Sequence, residues 1–292
     1  MRIELEQGQH RARISTFGAQ LESLTLAGRE MLWQGDPAIW ADHALVLFPF
    51  IGRCREDRYT YRGETYPMGL HGFAWKKEFQ QAEVTRSSCL LELTDDGDTR
   101  QVYPFAFRFQ IGFFLEEGGL RVTFRVENRS EGTMPFALGW HPGFALEGAP
   151  EDYQVRFPEA SDPRELCIVP KCMVTGEEKN LPLAANALPL SRELFQTSAR
   201  VFWGLGQRAI LETRQGQALL AMDMADFPVT TLWQTLGSGA EFICLEAWLG
   251  RPGQADRVEE LGRDGKICLE PGGILTREIC VSSGDRPTEK CR

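Results

Sequence analysis

The chain has 292 residues, 42% of them hydrophobic, and sets 32 Lys and Arg against 41 Asp and Glu for a net charge of -9. That balance repels phosphate backbones and anionic membranes. With no local basic patch in view, it argues against nucleic acid or a membrane surface as a partner.

Met1–Gln7 alternates charged and apolar side chains without the apolar core of a signal peptide, so a cytoplasmic location is expected. Pro37–Trp40, following Asp36 as a cap, predicts a short helical turn. The densest apolar stretch, Ala44–Ile51, contains Pro49 and is far too short to span a membrane. Tyr59–Tyr61, turning through Arg62 and Gly63 to Glu64–Tyr66, reads as a hairpin. Phe107, Phe109, Ile111, Phe113 and Leu115 alternate with Arg108, Gln110 and Gly112, the period of a half-buried strand. After Glu117–Gly119 the alternation resumes at Leu120, Val122, Phe124 and Val126, which predicts an antiparallel return. Residues 147–190 carry the weakest pattern and read as an insertion or a lid. Ser191–Phe195 is a second brief helical candidate, and Arg208–Thr213 with Ala218–Met222 is a further hairpin.

Glycine (29) and proline (16) are scattered through turns, so no linker divides the chain. One domain over 1–282 is expected, with 283–292 as a flexible tail. So many antiparallel strands predict an all-β fold, a large antiparallel β-sandwich. Neither a GxGxxG nor a GxxxxGK[ST] motif occurs, and no nucleotide cofactor is expected. The eight cysteines are irregularly spaced, and Cys89, Cys244, Cys268 and Cys280 sit in apolar runs where a free thiol acts as a small hydrophobe. Cys167 and Cys172 could form a disulfide or half a zinc site, but no second pair at ligand spacing follows and no metal is expected.

Chemistry concentrates in three aromatic-rich segments: Leu70-His71-Gly72-Phe73, Trp140-His141-Pro142-Gly143-Phe144 and Ile243-Cys244-Leu245-Glu246-Ala247-Trp248. The chain has four histidines, and His10 and His43 lack such surroundings. Two imidazoles and a carboxylate can move protons near neutral pH, and the neighbouring rings offer flat apolar area, a combination suited to sugars. Glu246 shares a strand face with Phe242, Cys244 and Trp248, opposite Ile243, Leu245 and Ala247. An unpaired carboxylate inside a strand is costly and needs a reason to be there.

Leu47-Phe48-Pro49-Phe50-Ile51-Gly52-Arg53, the three segments above and Leu269-Glu270-Pro271-Gly272-Gly273 together resemble, in this order, the aldose 1-epimerase (galactose mutarotase) family. The nearer likeness is to its LacX-like branch, through Leu194-Phe195, Asp226-Phe227-Pro228 and Trp233. The resemblance covers about Ile14 to Val281. It implies a galactose mutarotase-like supersandwich, a shallow sugar site and no cofactor. It also implies an isomerase whose partner is a small sugar, acting as monomer or homodimer. Carried over residue by residue, it makes His141 the general acid, protonated at the outset, and Glu246 the base. Arg53 and His71 become sugar-binding groups, with Phe73, Trp140, Asp226 and Trp248 as further contacts. Gly52 departs from the Asn that many relatives carry, and Gln234-Thr235 from a Ser-Lys pair common in the branch.

Each assignment has a plainer competitor. A histidine among apolar residues is often a hydrogen-bonded core group, Arg53 can pair with Glu56 or Asp57 across a turn, and aromatic clusters are usually core. The competing functions are a sugar-phosphate 1-epimerase, which needs a second cation such as Arg251 or Arg257, and a non-catalytic carbohydrate-binding module. A glycoside hydrolase needs a second carboxylate, and a cupin-like metal site would have to use His43, His71, His141 and Glu246.

Overall fold

The structure is a computed structural model that describes residues 1–284 apart from 170–171, 197–198, 236–239 and 264. Two large antiparallel sheets organise it. In spatial order the first has nine strands: Ala187–Pro189, Tyr153–Arg156, Arg208–Thr213, Ala218–Asp223, Ile274–Ser283, Gly119–Asn128, Phe107–Glu116, Ser88–Thr94 and Gln80–Val84. The second has seven: Met173–Asn180, Arg164–Val169, Arg200–Trp203, Val229–Trp233, Phe242–Leu249, Leu138–Ala145 and Ala44–Leu47. A four-stranded sheet from Arg2 to Glu30 packs into the same core.

The period-two pattern decides which side chains meet. Phe107, Phe109, Ile111, Phe113, Val122, Phe124 and Val126 from the first sheet are fully buried with Trp140, Phe144, Leu232, Leu245 and Ala247 from the second. Phe48 bridges the two, stacked on Phe109 at 4.7 Å between ring centroids. Each such side chain contributes about 1.5–3 kcal/mol on burial, so one continuous core fixes both sheets. The seven-stranded sheet also buries side chains on its other face. There, one cluster holds Leu45, Leu47, Val201, Val229 and Trp248, and another holds Phe242 and Cys244 with Trp33, Trp40 and Trp233. Polar residues of the same face lie between them, and this is where the chemistry gathers.

The hairpins expected at Tyr59–Tyr66, Phe107–Val126 and Arg208–Met222 are present, pairing antiparallel. Ser191 caps a 3-10 turn over Arg192–Phe195, accepting from the Leu194 N–H at 3.3 Å. Asp36 caps only a turn, accepting from the Ala38 N–H at 2.8 Å. The α-helix Gly97–Val102 has a readable start, because Asp96 and Thr99 form a reciprocal capping box.

The described residues of the weakly patterned 147–190 region form four strands. Two of them, Arg164–Val169 and Met173–Asn180, make a hairpin at one edge of the seven-stranded sheet, where an outer strand shows little hydrophobic alternation. The first two residues of the expected tail, 283 and 284, are held at the sheet. Ser283 pairs with Leu220, the Gly284 N–H donates to the Leu219 carbonyl, and 285–292 lie outside the described residues. Cys54, Cys89, Cys167, Cys172, Cys244 and Cys268 are free thiols, whereas Cys280 is disulfide-bonded, against expectation. Its apolar strand setting reveals packing but says nothing of bonding. Among the described residues no helix is long and apolar enough to cross a membrane.

Candidate active site

His141 and Glu246 come from adjacent antiparallel strands, Leu138–Ala145 and Phe242–Leu249. Alternation sends Trp140 and Phe144 into the inter-sheet core and His141 to the opposite face, where Glu246 also points. The two meet: His141 Nε2 lies 3.3 Å from Glu246 Oε1, and both side chains are buried. The other carboxylate oxygen, Oε2, accepts from the Trp248 indole N–H at 2.9 Å. His141 Nδ1 has no hydrogen-bond partner among the described residues.

His71 is held by a local loop device. Its backbone N–H donates to the Gly52 carbonyl at 2.7 Å, and the Gly52 N–H donates to His71 Nδ1 at 3.1 Å. Because Nδ1 is an acceptor, the ring proton sits on Nε2 and can be donated to a ligand. The His71 ring stands edge-on to His141 at 5.7 Å and to Trp248 at 6.4 Å. Gly52 has φ +62°, and a Cβ there would sit 2.6 Å from the Cys172 carbonyl oxygen. Glycine therefore lets Cys172, just before the second strand of the 164–180 hairpin, approach the loop, where its carbonyl accepts the Arg53 N–H at 3.1 Å. This accounts physically for the departure from Asn at position 52.

Arg53 serves both readings given to it. Its guanidinium pairs with Asp57 across the turn, as the plainer reading expects, while its buried Nε has no hydrogen-bond partner among the described residues. It stays close enough to His71 for its charge to disfavour the imidazolium.

Burial governs the charges. It pushes His141 down to about 4 and Glu246 well above the usual carboxylate range, with only the Trp248 N–H opposing it at the carboxylate. His71 is also held well below an ordinary histidine, by burial first and then by His141 and Arg53. Burial thus keeps His141 neutral at neutral pH and disfavours charge on Glu246. This corrects the expectation of a His141 protonated at the outset.

Three expected contacts lie elsewhere. Trp140 is fully buried in the inter-sheet core. Phe73 packs against Phe48, Tyr103 and Phe107 in the same core, because positive φ at His71 and Gly72 breaks the strand alternation. Asp226 is exposed on a turn, where a charged side chain keeps its hydration. The rings beside the pair are instead Trp40, 5.3 Å from His141, and Trp233, 5.6 Å from it. Trp233 was singled out in the sequence only through the family likeness, and Trp40 closes a turn with no periodic signal. Gln234 is committed to structure, donating to the Phe242 carbonyl at 2.7 Å and to that of Ala240.

Such an arrangement can take a proton at one atom and give it at another within a few ångströms, among buried side chains flanked by rings. The group facing Glu246 is an imidazole rather than the second carboxylate of a glycoside hydrolase. Among the described residues no three His, Cys, Asp or Glu side chains gather as a metal site.

Comparison with known proteins agrees with the fold. A profile described as aldose 1-epimerase matches residues 1–254. Protein LacX of Lactococcus lactis subsp. lactis is 33% identical over 268 residues, covering 86% of this chain and 88% of its own. The uncharacterized protein YphB of Escherichia coli K12 is 26% identical over 299 residues, covering 95% of this chain and 97% of its own. The crystal structure of a galactose mutarotase-like protein from Lactobacillus casei superposes with a TM-score of 0.91 at 29% identity, over 97% of this chain and 99% of that one. The fold, the order of the motifs and these matches agree: the chain belongs to the aldose 1-epimerase family, a family of isomerases.

Proposed function

We propose that the protein interconverts the α and β anomers of a free aldose by acid/base opening and reclosure of the sugar ring. Glu246 and His141 act as the proton-transfer pair, without a cofactor. The supporting observation is their 3.3 Å contact between buried side chains, with the Trp40 and Trp233 rings beside His141. Breaking the C1–O5 bond requires removal of the O1 proton and protonation of O5. The site must therefore hold a base and an acid, which is a pair with one proton between them.

In this reading the empty site keeps that proton on Glu246, the direction in which burial pushes it. As sugar hydroxyls enter and the Trp248 N–H holds Oε2, the carboxylate form is favoured and the proton passes along the contact to His141 Nε2. Glu246 then takes the proton from O1, His141 gives its own to O5, and C1 becomes an aldehyde. Rotation about C1–C2 presents the other face, and the two groups exchange roles on closure. Each positioned group contributes typically about 10²–10⁴-fold. The Nε2–H of His71 and the guanidinium of Arg53 hold ring or hydroxyl oxygens as charge develops, while Trp40, Trp233 and Trp248 wall the pocket.

The name of the Lactobacillus casei relative favours a hexose such as galactose. A phosphorylated substrate is the weaker reading, because the two available cations face carboxylates: Arg251 lies 3.7 Å from Glu178 and Arg257 3.9 Å from Asp256. A non-catalytic sugar-binding module would not need imidazole and carboxylate in contact. The test is the decay of optical rotation of freshly dissolved α-D-glucose and α-D-galactose, with glucose 6-phosphate in parallel. Faster decay than in buffer is expected for the free sugars. No acceleration with any aldose would contradict the proposal.

A further inference from the structure

Thr231 sits directly across from Glu246 in the antiparallel register of Val229–Trp233 with Phe242–Leu249, so the two side chains leave the sheet on the same face. Such pairs place their Cβ atoms about 4.5–5.5 Å apart. Thr231 is 0% exposed, yet its Oγ1 has no hydrogen-bond partner among the described residues. Its other neighbours, Val201 across the far side and Val229 and Trp233 along its own strand, offer no acceptor, and the two oxygens of Glu246 face His141 and the Trp248 indole N–H instead. A buried hydroxyl left unpaired costs about 1–3 kcal/mol, and valine would fill the same volume without that cost. The hydroxyl is therefore suited to a partner that arrives from outside.

The order of residues across the sheet says which part of a sugar that partner is. Val201, Thr231, Glu246 and His141 follow one another on successive strands, with Thr231 and His141 on opposite sides of the Glu246 strand. Two strand spacings, about 10 Å, separate the strands of Thr231 and His141, comparable with one pyranose and its substituents. In a pyranose, C1 lies between O5 and C2. If His141 serves O5 and Glu246 serves the hydroxyl on C1, the position beyond Glu246 faces C2.

Building on the mutarotase reading, we infer that Thr231 is a specificity-determining residue that hydrogen-bonds the C2 hydroxyl of the aldose. The site thereby prefers 2-hydroxy aldoses to their 2-deoxy counterparts. A pocket built to pair with a hydroxyl discriminates against the analogue lacking it, because its own polar group then stays unpaired.

The experiment measures anomer exchange for glucose and 2-deoxyglucose, and for galactose and 2-deoxygalactose, with wild type, Thr231→Val and Thr231→Ser. Wild type should favour each parent sugar over its 2-deoxy form about tenfold, the effect of one hydrogen bond in the transition state. Thr231→Val should lose about tenfold on the parent sugars and stay within twofold of wild type on the 2-deoxy sugars, and Thr231→Ser should restore the parent rates. Equal losses on parent and deoxy sugars, or no loss on either, would overturn the inference while leaving the mutarotase reading standing. Wild type that accelerates none of the four sugars removes that reading and the inference with it.

Discussion

If one proton shared by His141 and Glu246 is the working state, acid inactivation begins when a second proton lands on His141. Burial holds that imidazole down to about 4, instead of the ordinary histidine value near 6.5. The difference is large at pH 5. An unperturbed histidine would be about 97% protonated there, leaving about 3% of the molecules competent. With the value at about 4, roughly 90% of the molecules keep His141 neutral. The assay is kcat/KM for anomer exchange from pH 4 to 8 with the buffer rate subtracted, because this quantity reports the groups of the free enzyme. Activity at pH 5 should stay close to its pH 7 value, with the acid limb centred near 4. On the alkaline side activity should decline only as Glu246 gives up its raised proton. An acid limb centred near 6.5, with a few per cent of activity left at pH 5, would refute the argument that burial sets the charge of this pair.

Further predictions concern what supports the pocket. Lys266 and Glu259 form a fully buried ion pair at 2.7 Å beside Cys54, the residue after Arg53, with the ammonium over the Phe50 ring. Lys266→Met strands that carboxylate and should cost about 3–5 kcal/mol by denaturant unfolding, while adding Glu259→Gln should recover most of it. A single-variant cost below about 1 kcal/mol would contradict this reading. Gly72 has φ +74°, and a Cβ would lie 2.3 Å from the Phe48 carbonyl oxygen. Gly72→Ala should therefore destabilise the fold by at least about 1–3 kcal/mol and displace His71, read as a lowered melting temperature and a raised KM. Asp226→Asn, on an exposed turn, should leave kcat/KM within about twofold, and a loss beyond tenfold would return Asp226 to the site.

Strand periodicity made the placement of Glu246 legible, because Phe242, Cys244, Glu246 and Trp248 share one face, where a buried carboxylate needs a reason to be. The same rule, applied to the His141 strand, places Trp140 on the opposite face. Nearness in sequence to a reactive residue is thus a poor guide within a strand. Phe73 illustrates the converse. Two residues from His71 it would share a face in a regular strand, but positive φ at His71 and Gly72 turns it into the core. Trp40 reaches His141 from a turn, and the 164–180 hairpin brings Cys172 against Arg53 from a segment without strong alternation. Such long-range placements depend on tertiary packing that no local pattern encodes. Thr231 was invisible for another reason: in Val-Thr-Thr-Leu-Trp it looks like any β-branched strand former, and only its buried, unpaired hydroxyl opposite Glu246 sets it apart.

The role given to Glu246 is tested most directly by Glu246→Gln, compared with wild type in anomer exchange at matched protein concentration. The amide keeps the size of the side chain, can accept from Trp248 and carries no charge, so the melting temperature should hold. The rate above buffer should fall about 10²–10⁴-fold. A well-folded variant within threefold of wild type would show that the proton leaves O1 by another route.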